Sequence, residues 1–154
     1  SPVSRSMKMP VNILFLCTGN SCRSQMAEGW ARALYPSSVI AYSAGIKAHG
    51  LNPRAVQVMA EAGVDISRHQ SRSIEELPKI SFDVVVTVCD NARESCPVFH
   101  GSALRIHHSF DDPPLHAEGF PEQQALDVYR RVRDEIRTMV EGLDVYVRHA
   151  AKQR

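Results

Sequence analysis

Residues 12–30, NILFLCTGNSCRSQMAEGW, restrict the fold more than any other stretch of the chain. A short, continuous apolar run at 13–16 ends at a Gly-containing turn. Met26, Ala27, Trp30 and Leu34 then recur at helical spacing, so the turn joins a buried strand to an amphipathic helix. Cys17 and Arg23 bracket it six positions apart, with Thr18, Gly19, Asn20, Ser21 and Cys22 between them. Gly19 and Asn20 are the residue types that best accept positive φ, which lets the backbone curl until successive N–H groups face one spot. Such a nest at a helix N-terminus favours negative charge, and Arg23 adds a planar fork of donors matched to two oxygens of a tetrahedral oxyanion. The same field favours Cys17 as a thiolate and hence as a nucleophile, with the Ser24 hydroxyl able to donate to its sulfur. Residues 18–24 therefore read as an oxyanion cradle beside a reactive cysteine. The blander reading is a buried cysteine next to a surface arginine, and the strand, turn and helix context weighs against it.

A length of 154 residues suits one domain with a real core, placed here at 9–154, and residues 1–8 read as a disordered tail or cloning remnant. The formal net charge of +1 gives no global field that would draw nucleic acid or an anionic membrane. No stretch has the length and apolarity of a membrane span, so a cytoplasmic setting is expected. Four cysteines in a reducing compartment are more naturally catalytic than structural. Cys22 is the exception, a small, semi-buried thiol whose backbone alone belongs to the cradle.

Further strands are expected at 39–44, 82–88 (FDVVVTV) and, more weakly, 103–107. Asn52 and Pro53 start a helix that Gly63 ends, residues 73–77 form a short helical turn, and a long helix from Pro121 carries apolar residues from Leu126 through Leu143 to Val147. Strands alternating with helices give an α/β fold, a three-layer open parallel sheet of about four strands with helices on both faces. Ligands in such folds bind beyond the carboxyl ends of the strands, where both Cys17 and Cys89 fall. Cys89 and Cys96 follow the most β-branched run. They suit a buried and an incidental surface cysteine, or a metal pair, although no second pair of ligands accompanies them. Asp111 and Asp112 precede Pro113 in what could be a simple turn, yet an acid over the anion could protonate a departing oxygen. His107 and His108, adjacent on a strand, point to opposite faces and do not favour a metal site. Trp30 reads as helix-face core.

The segment LCTGNSCRSQMAEGW resembles the phosphate-binding loop of the low-molecular-weight protein tyrosine phosphatases, and more closely that of their thioredoxin-coupled arsenate reductase branch. YSAG at 42–45, HGLNPRA at 49–55, TVC at 87–89 and FDDP at 110–113 extend the resemblance over nearly the whole chain after Met9. The phosphatase branch usually carries Pro where this chain has Gln25, and aromatic residues where Pro114, Leu115 and His116 stand. The resemblance implies arsenate as substrate, phosphate or sulfate as mimics, and Cys17 as nucleophile with Arg23 binding the anion. It further implies Asp112 as the acid, Cys89 and Cys96 as a disulfide relay, thioredoxin as reductant, and a monomer without metal or organic cofactor. Weak hydrolysis of small aryl phosphates would accompany it. The rivals are a phosphotyrosine phosphatase and an oxyanion-binding thiol redox sensor.

Some members of the reductase branch hold potassium through residues matching Asn20, Glu28 and Ser43 plus an acid where this chain has Arg72. A cation there cannot ligate potassium, and Arg72 is expected to stand in for its charge. Cys89 and Cys96 lie seven residues apart. On an intact helix, at ~1.5 Å rise per residue, their Cα atoms would be about 10 Å apart, beyond the roughly 7 Å limit of a disulfide, so bridging requires the segment to unwind.

Overall fold

A computed structural model describes residues 9–94 and 103–152. Four strands, β1 (Val11–Cys17), β2 (Val39–Gly45), β3 (Val84–Thr87) and β4 (Leu104–His107), form one sheet in the order β2-β1-β3-β4, with every pairing parallel. Ile13, Leu14, Phe15 and Leu16 are all at most 1% exposed although alternate side chains leave opposite faces of a strand, so both faces of β1 are covered. The helices that follow are α1 (Arg23–Leu34), α2 (Pro53–Glu61), α3 (Asp90–Glu94), α4 (Pro113–His116), α5 (Glu122–Glu141) and α6 (Asp144–Lys152), with a 3-10 turn at Ile74–Glu76. The expected α/β sheet is the observed one. None of the described helices is long and apolar enough to cross a membrane.

The chain leaves β1 toward β2 on one side and returns to β3 on the other. A crevice opens where the strand order reverses, and in open α/β sheets that is where ligands sit. The end of β1 is Cys17.

Local chemistry explains most of the boundaries. Asn52 caps α2 through its side-chain oxygen, which accepts from the N–H groups of Arg54 (2.9 Å) and Ala55 (3.2 Å), with Pro53 in the first turn. Its amide nitrogen donates to the Tyr129 hydroxyl at 3.1 Å and ties α2 to α5. In α5 the buried side chains Ala125, Leu126, Tyr129, Val132, Ile136, Met139 and Val140 make one stripe. Trp30, buried on α1, donates its indole N–H to the Arg133 carbonyl at 3.1 Å.

Two expectations need correction. The single long helix is two, because after Glu141 the Leu143 N–H bonds Val140 rather than a residue four back, and the axis restarts at Asp144. Apolar spacing continued across the break because Leu143 and Val147 are both buried in spite of it. α4 was also unexpected as a helix; Pro113 in its first turn favours one, since it lacks only an N–H that no helix would use there.

Gly45, the last residue of β2, passes directly under the turn after β1. A Cβ there would lie 2.5 Å from the Lys47 carbonyl oxygen, 2.6 Å from the Asn20 nitrogen and 2.7 Å from the Thr18 carbonyl oxygen. All three are backbone atoms and cannot swing aside. Gly45→Ala is therefore expected to destabilise the protein by about 1–3 kcal/mol, the usual range for overpacking, lowering the melting temperature by several degrees. A melting curve superimposable on that of the unsubstituted protein would contradict this close approach.

Candidate active site

The turn after β1 is organised by what its carbonyls do. Those of Cys17, Thr18, Gly19 and Ser21 accept the N–H groups of Ile46 (3.3 Å), Lys47 (3.1 Å), His49 (2.9 Å) and Asn52 (2.9 Å). The Asn20 carbonyl accepts from Gln25 Nε2 at 3.1 Å and the Cys22 carbonyl from the Met26 N–H at 2.9 Å. With the five consecutive carbonyls of 17–21 turned outward, the peptide N–H groups of 18–22 are left over, and none of them donates to a described residue. They lead into the N-terminus of α1, whose cap residue Cys22 supplies no side-chain acceptor. The result is a concave set of unspent donors, the nest expected from sequence.

Asn20 holds this shape. It is fully buried, with φ of 49°. Its Nδ2 donates to Ser24 Oγ and Ser43 Oγ, both at 2.9 Å, and its Oδ1 accepts from the Arg72 N–H (2.8 Å) and Gln25 Nε2 (3.0 Å). Ser24 Oγ, which receives from Asn20, lies 2.8 Å from Cys17 Sγ and can donate its hydrogen to a thiolate there. Ser43 likewise passes its hydrogen to Glu28 Oε1 at 2.7 Å.

Arg23 is nearly buried. Its Nη1 donates to the Phe110 carbonyl at 3.1 Å and its Nη2 lies 3.8 Å from Asp112 Oδ1. Asp112 stands at the N-terminus of α4 but makes no capping bond, so the partner of its partly exposed carboxyl among the described residues is Arg23. Asp111 pairs instead with Arg131 at 3.0 Å and lies 3.6 Å from His116, fastening the loop to α5.

The second cysteine reaches the same place. Cys89, buried at the end of β3, accepts the Ala92 N–H on its sulfur at 3.3 Å and lies 3.4 Å from Thr18 Oγ1. Thr18 follows Cys17 directly, so one hydroxyl links the two cysteine environments. Cys96 lies outside the described residues. Cys22 is more deeply buried than its sequence suggested, and burial pushes its thiol pKa well above the ordinary value, with the Cys17 and Asp112 charges adding to the rise and Arg23 opposing it.

Three participants escaped sequence reasoning. Gln25 grips both oxygens of Asn20 and also donates to the Gln70 carbonyl at 3.1 Å. His69 contacts Gln25 Oε1 at 3.0 Å. Arg32 pairs with Glu28 at 2.9 Å and donates to the Ala41 carbonyl at 3.1 Å. The prior signals were the unusual Gln25 after the Arg-Ser pair and the i,i+4 spacing of Glu28 and Arg32 on the expected helix. Arg32 also corrects the expectation for Arg72, because the guanidinium on the Glu28 carboxylate is that of Arg32. The residues do not fit potassium: Glu28 is taken by Ser43, Arg32 and His69, and Asn20 Oδ1 by two N–H donors. No group of three or more His, Cys, Asp or Glu among the described residues is placed to hold a metal ion.

A model of the family described as low molecular weight phosphotyrosine protein phosphatase matches residues 12–153. The chain is 51% identical over 124 residues to an arsenate reductase of Halalkalibacterium halodurans, covering 80% of this chain and 88% of that protein. Among solved structures it is similar to an arsenate reductase in oxidized state, with TM-score 0.72, 31% identity and coverage of 92% and 99% of the two chains. An arsenate reductase in the phosphate binding state gives TM-score 0.65 and 33% identity over 86% of this chain and 95% of that one.

Cys17 and Cys22 are equally buried, each 3% exposed, and differ in their surroundings: Cys17 Sγ lies 2.8 Å from Ser24 Oγ at the cradle, whereas the Cys22 thiol is held protonated. Cys22 should therefore resist iodoacetamide in the native protein at mildly alkaline pH while Cys17 is alkylated; peptide mass spectrometry finding Cys22 modified as fast as Cys17 would overturn that assignment. The Arg32–Glu28 pair predicts equal melting temperatures in potassium and sodium at matched ionic strength. A clear rise in potassium would show that the ion still finds ligands.

Proposed function

The chain belongs to the low molecular weight phosphotyrosine protein phosphatase family, and from that premise we propose that it is an arsenate reductase whose thiols are recycled by thioredoxin. The observation that carries this reading is the second thiol at the cradle, Cys89 with its sulfur 3.4 Å from the Thr18 hydroxyl. An ester hydrolase that finishes with water has no use for it.

In this reading the N–H groups of 18–22 and Arg23 hold the tetrahedral oxyanion. Cys17 sulfur attacks arsenic, an As–O bond breaks, and the departing hydroxide takes the Asp112 proton and leaves as water. Cys89 thiolate then attacks Cys17 sulfur. The S–S bond forms as the S–As bond breaks, its electron pair stays on arsenic, and As(V) leaves as As(III) in arsenite. Cys96 thiolate attacks Cys89 sulfur, which frees Cys17 and leaves a Cys89–Cys96 disulfide for a dithiol reductant to open with two electrons. The Asp112 carboxyl beside Arg23 and the Ser24 hydroxyl 2.8 Å from Cys17 Sγ support the first step.

A phosphotyrosine phosphatase shares that first step, and the family name alone favours it. Leu115, 63% exposed, occupies the loop after the Asp-Pro pair where an aryl ring would need an aromatic wall.

The test is arsenate-dependent NADPH oxidation with thioredoxin and thioredoxin reductase. Multiple turnovers support the reductase, one turnover per protein supports a redox sensor, and phosphate ester hydrolysis without arsenate turnover supports the phosphatase. Cys17→Ser should lower both arsenate reduction and aryl phosphate hydrolysis by several orders of magnitude, as loss of a nucleophile does. Cys89→Ser should stop arsenate cycling and leave aryl phosphate hydrolysis within a small factor. Asp112→Asn should slow the shared first step by about 10²–10⁴-fold, the usual contribution of a general acid. A Cys89→Ser protein that still turns over arsenate through thioredoxin would remove the relay.

A further inference from the structure

Beside the cradle, and separate from the groove that holds Cys17, Arg23 and Cys89, lies a cavity of about 480 Å³ lined in part by Glu28, Arg32, Ser43, Arg68, His69 and Arg72. Its charge does not balance. Glu28 is the one carboxylate among the described lining residues, and it is already shared by the Ser43 hydroxyl (2.7 Å), Arg32 (2.9 Å) and His69 Nδ1 (3.4 Å). Burial, and then the nearby Arg32, hold His69 below the ordinary histidine pKa against the pull of Glu28 and Asp65, so the imidazole is neutral near pH 7. Once Arg32 is set against Glu28, the guanidinium groups of Arg68 and Arg72 remain.

Neither Arg68 nor Arg72 forms an ion pair with a described residue; Asp65 and Glu76 act on them only through longer-range attraction. Two uncompensated guanidinium groups on one concave wall are the usual complement of a dianion, since each offers a planar fork to two oxygens. The Arg72 part of this wall is fixed in place. The Arg72 N–H donates to Asn20 Oδ1 at 2.8 Å and its carbonyl accepts the Gly45 N–H at 2.9 Å, so Arg72 leaves the same hydrogen-bonded frame that shapes the cradle. The volume lies within the range of small-molecule sites and exceeds what a bare oxyanion fills, and Ala41 and Tyr42 supply an apolar side to the lining.

We propose that this cavity is a second anion site, in which Arg68 and Arg72, with Arg32 at the edge, take the dianionic phosphoryl group of an inorganic or organic phosphate. It is distinct from the cradle, and the two share Asn20 as a common strut.

The test uses Arg23→Ala, which disables the cradle, with amide chemical shifts followed during titration with sodium phosphate at constant ionic strength set by chloride. A parallel titration uses phenylphosphonate, which carries the same head group on an organic body and cannot be hydrolysed. Saturable shifts of the Ser43, Gln70 and Arg72 amides are expected. In the same background Arg68→Ala and Arg72→Ala should each weaken binding by about tenfold, the scale of one charge-assisted hydrogen bond. Arg72→Glu should abolish it. Tighter binding of phenylphosphonate supports an organic phosphate as the occupant, and equal affinities support the inorganic ion. Absence of saturation at these amides, or saturation unchanged by all three arginine substitutions, would overturn the site.

Discussion

The structure depends on the outward direction of five consecutive carbonyls, Cys17 to Ser21. A peptide unit that turns its oxygen to one side turns its N–H to the other, so each bond accepted from the 46–52 segment or Gln25 leaves one donor facing the crevice. This arrangement has a conformational cost at Asn20, whose left-handed backbone is disfavoured for any residue with a Cβ. Four hydrogen bonds from a fully buried amide side chain offset it. Remove the side chain and the buried donors and acceptors of Ser24, Ser43, Gln25 and Arg72 lose partners together, a penalty larger than that of one bond. The anion seat is thus built from backbone, and a single asparagine sets its form.

Much of this was legible in the chain, because the relevant signals are local. Strand β1 is an unbroken apolar run, its turn carries the residue types that accept positive φ, and α1 follows at helical spacing. The Asn52–Pro53 cap announced α2 for the same reason. The break between α5 and α6 was hidden because apolar periodicity reports burial rather than backbone bonding, and Leu143 stays buried on either side of the discontinuity. Gln25 and His69 were hidden for a different reason. Their partners at Gln70 and Glu28 lie forty-five and forty-one positions away, and nothing in a linear pattern pairs them; Arg32 stands at i,i+4 from Glu28, a spacing the chain does display, but its bond to Ala41 does not show there.

Arg72 shows how a charge reading of sequence can identify the right neighbourhood and the wrong residue. An arginine near the buried Glu28 suggests compensation for its charge. The cation that pairs with Glu28 is Arg32, one helical turn along α1 at i,i+4 spacing. That leaves Arg72 without an ion-pair partner among the described residues, so its side chain makes the cavity wall attractive to an anion.

The arrangement of Cys89 couples reactivity to local order. Its sulfur accepts the Ala92 N–H, filling the role an N-cap oxygen would fill for α3, while its carbonyl accepts the Arg93 N–H at 3.2 Å as the first turn closes. α3 spans Asp90–Glu94 among the described residues, and a single such turn depends on its capping and tertiary bonds. Any chemistry that draws the sulfur into a bond with Cys17 takes that acceptor away from Ala92 and leaves α3 uncapped. The side chains of Asp90, which bonds His107 Nε2 at 3.0 Å, and of Asn91, 3.5 Å from Thr18 Oγ1, still tie the helix start to the sheet. The thiol is held by the helix and the helix by the thiol, so in the proposed relay consuming the one would loosen the other at the step where Cys96 would approach.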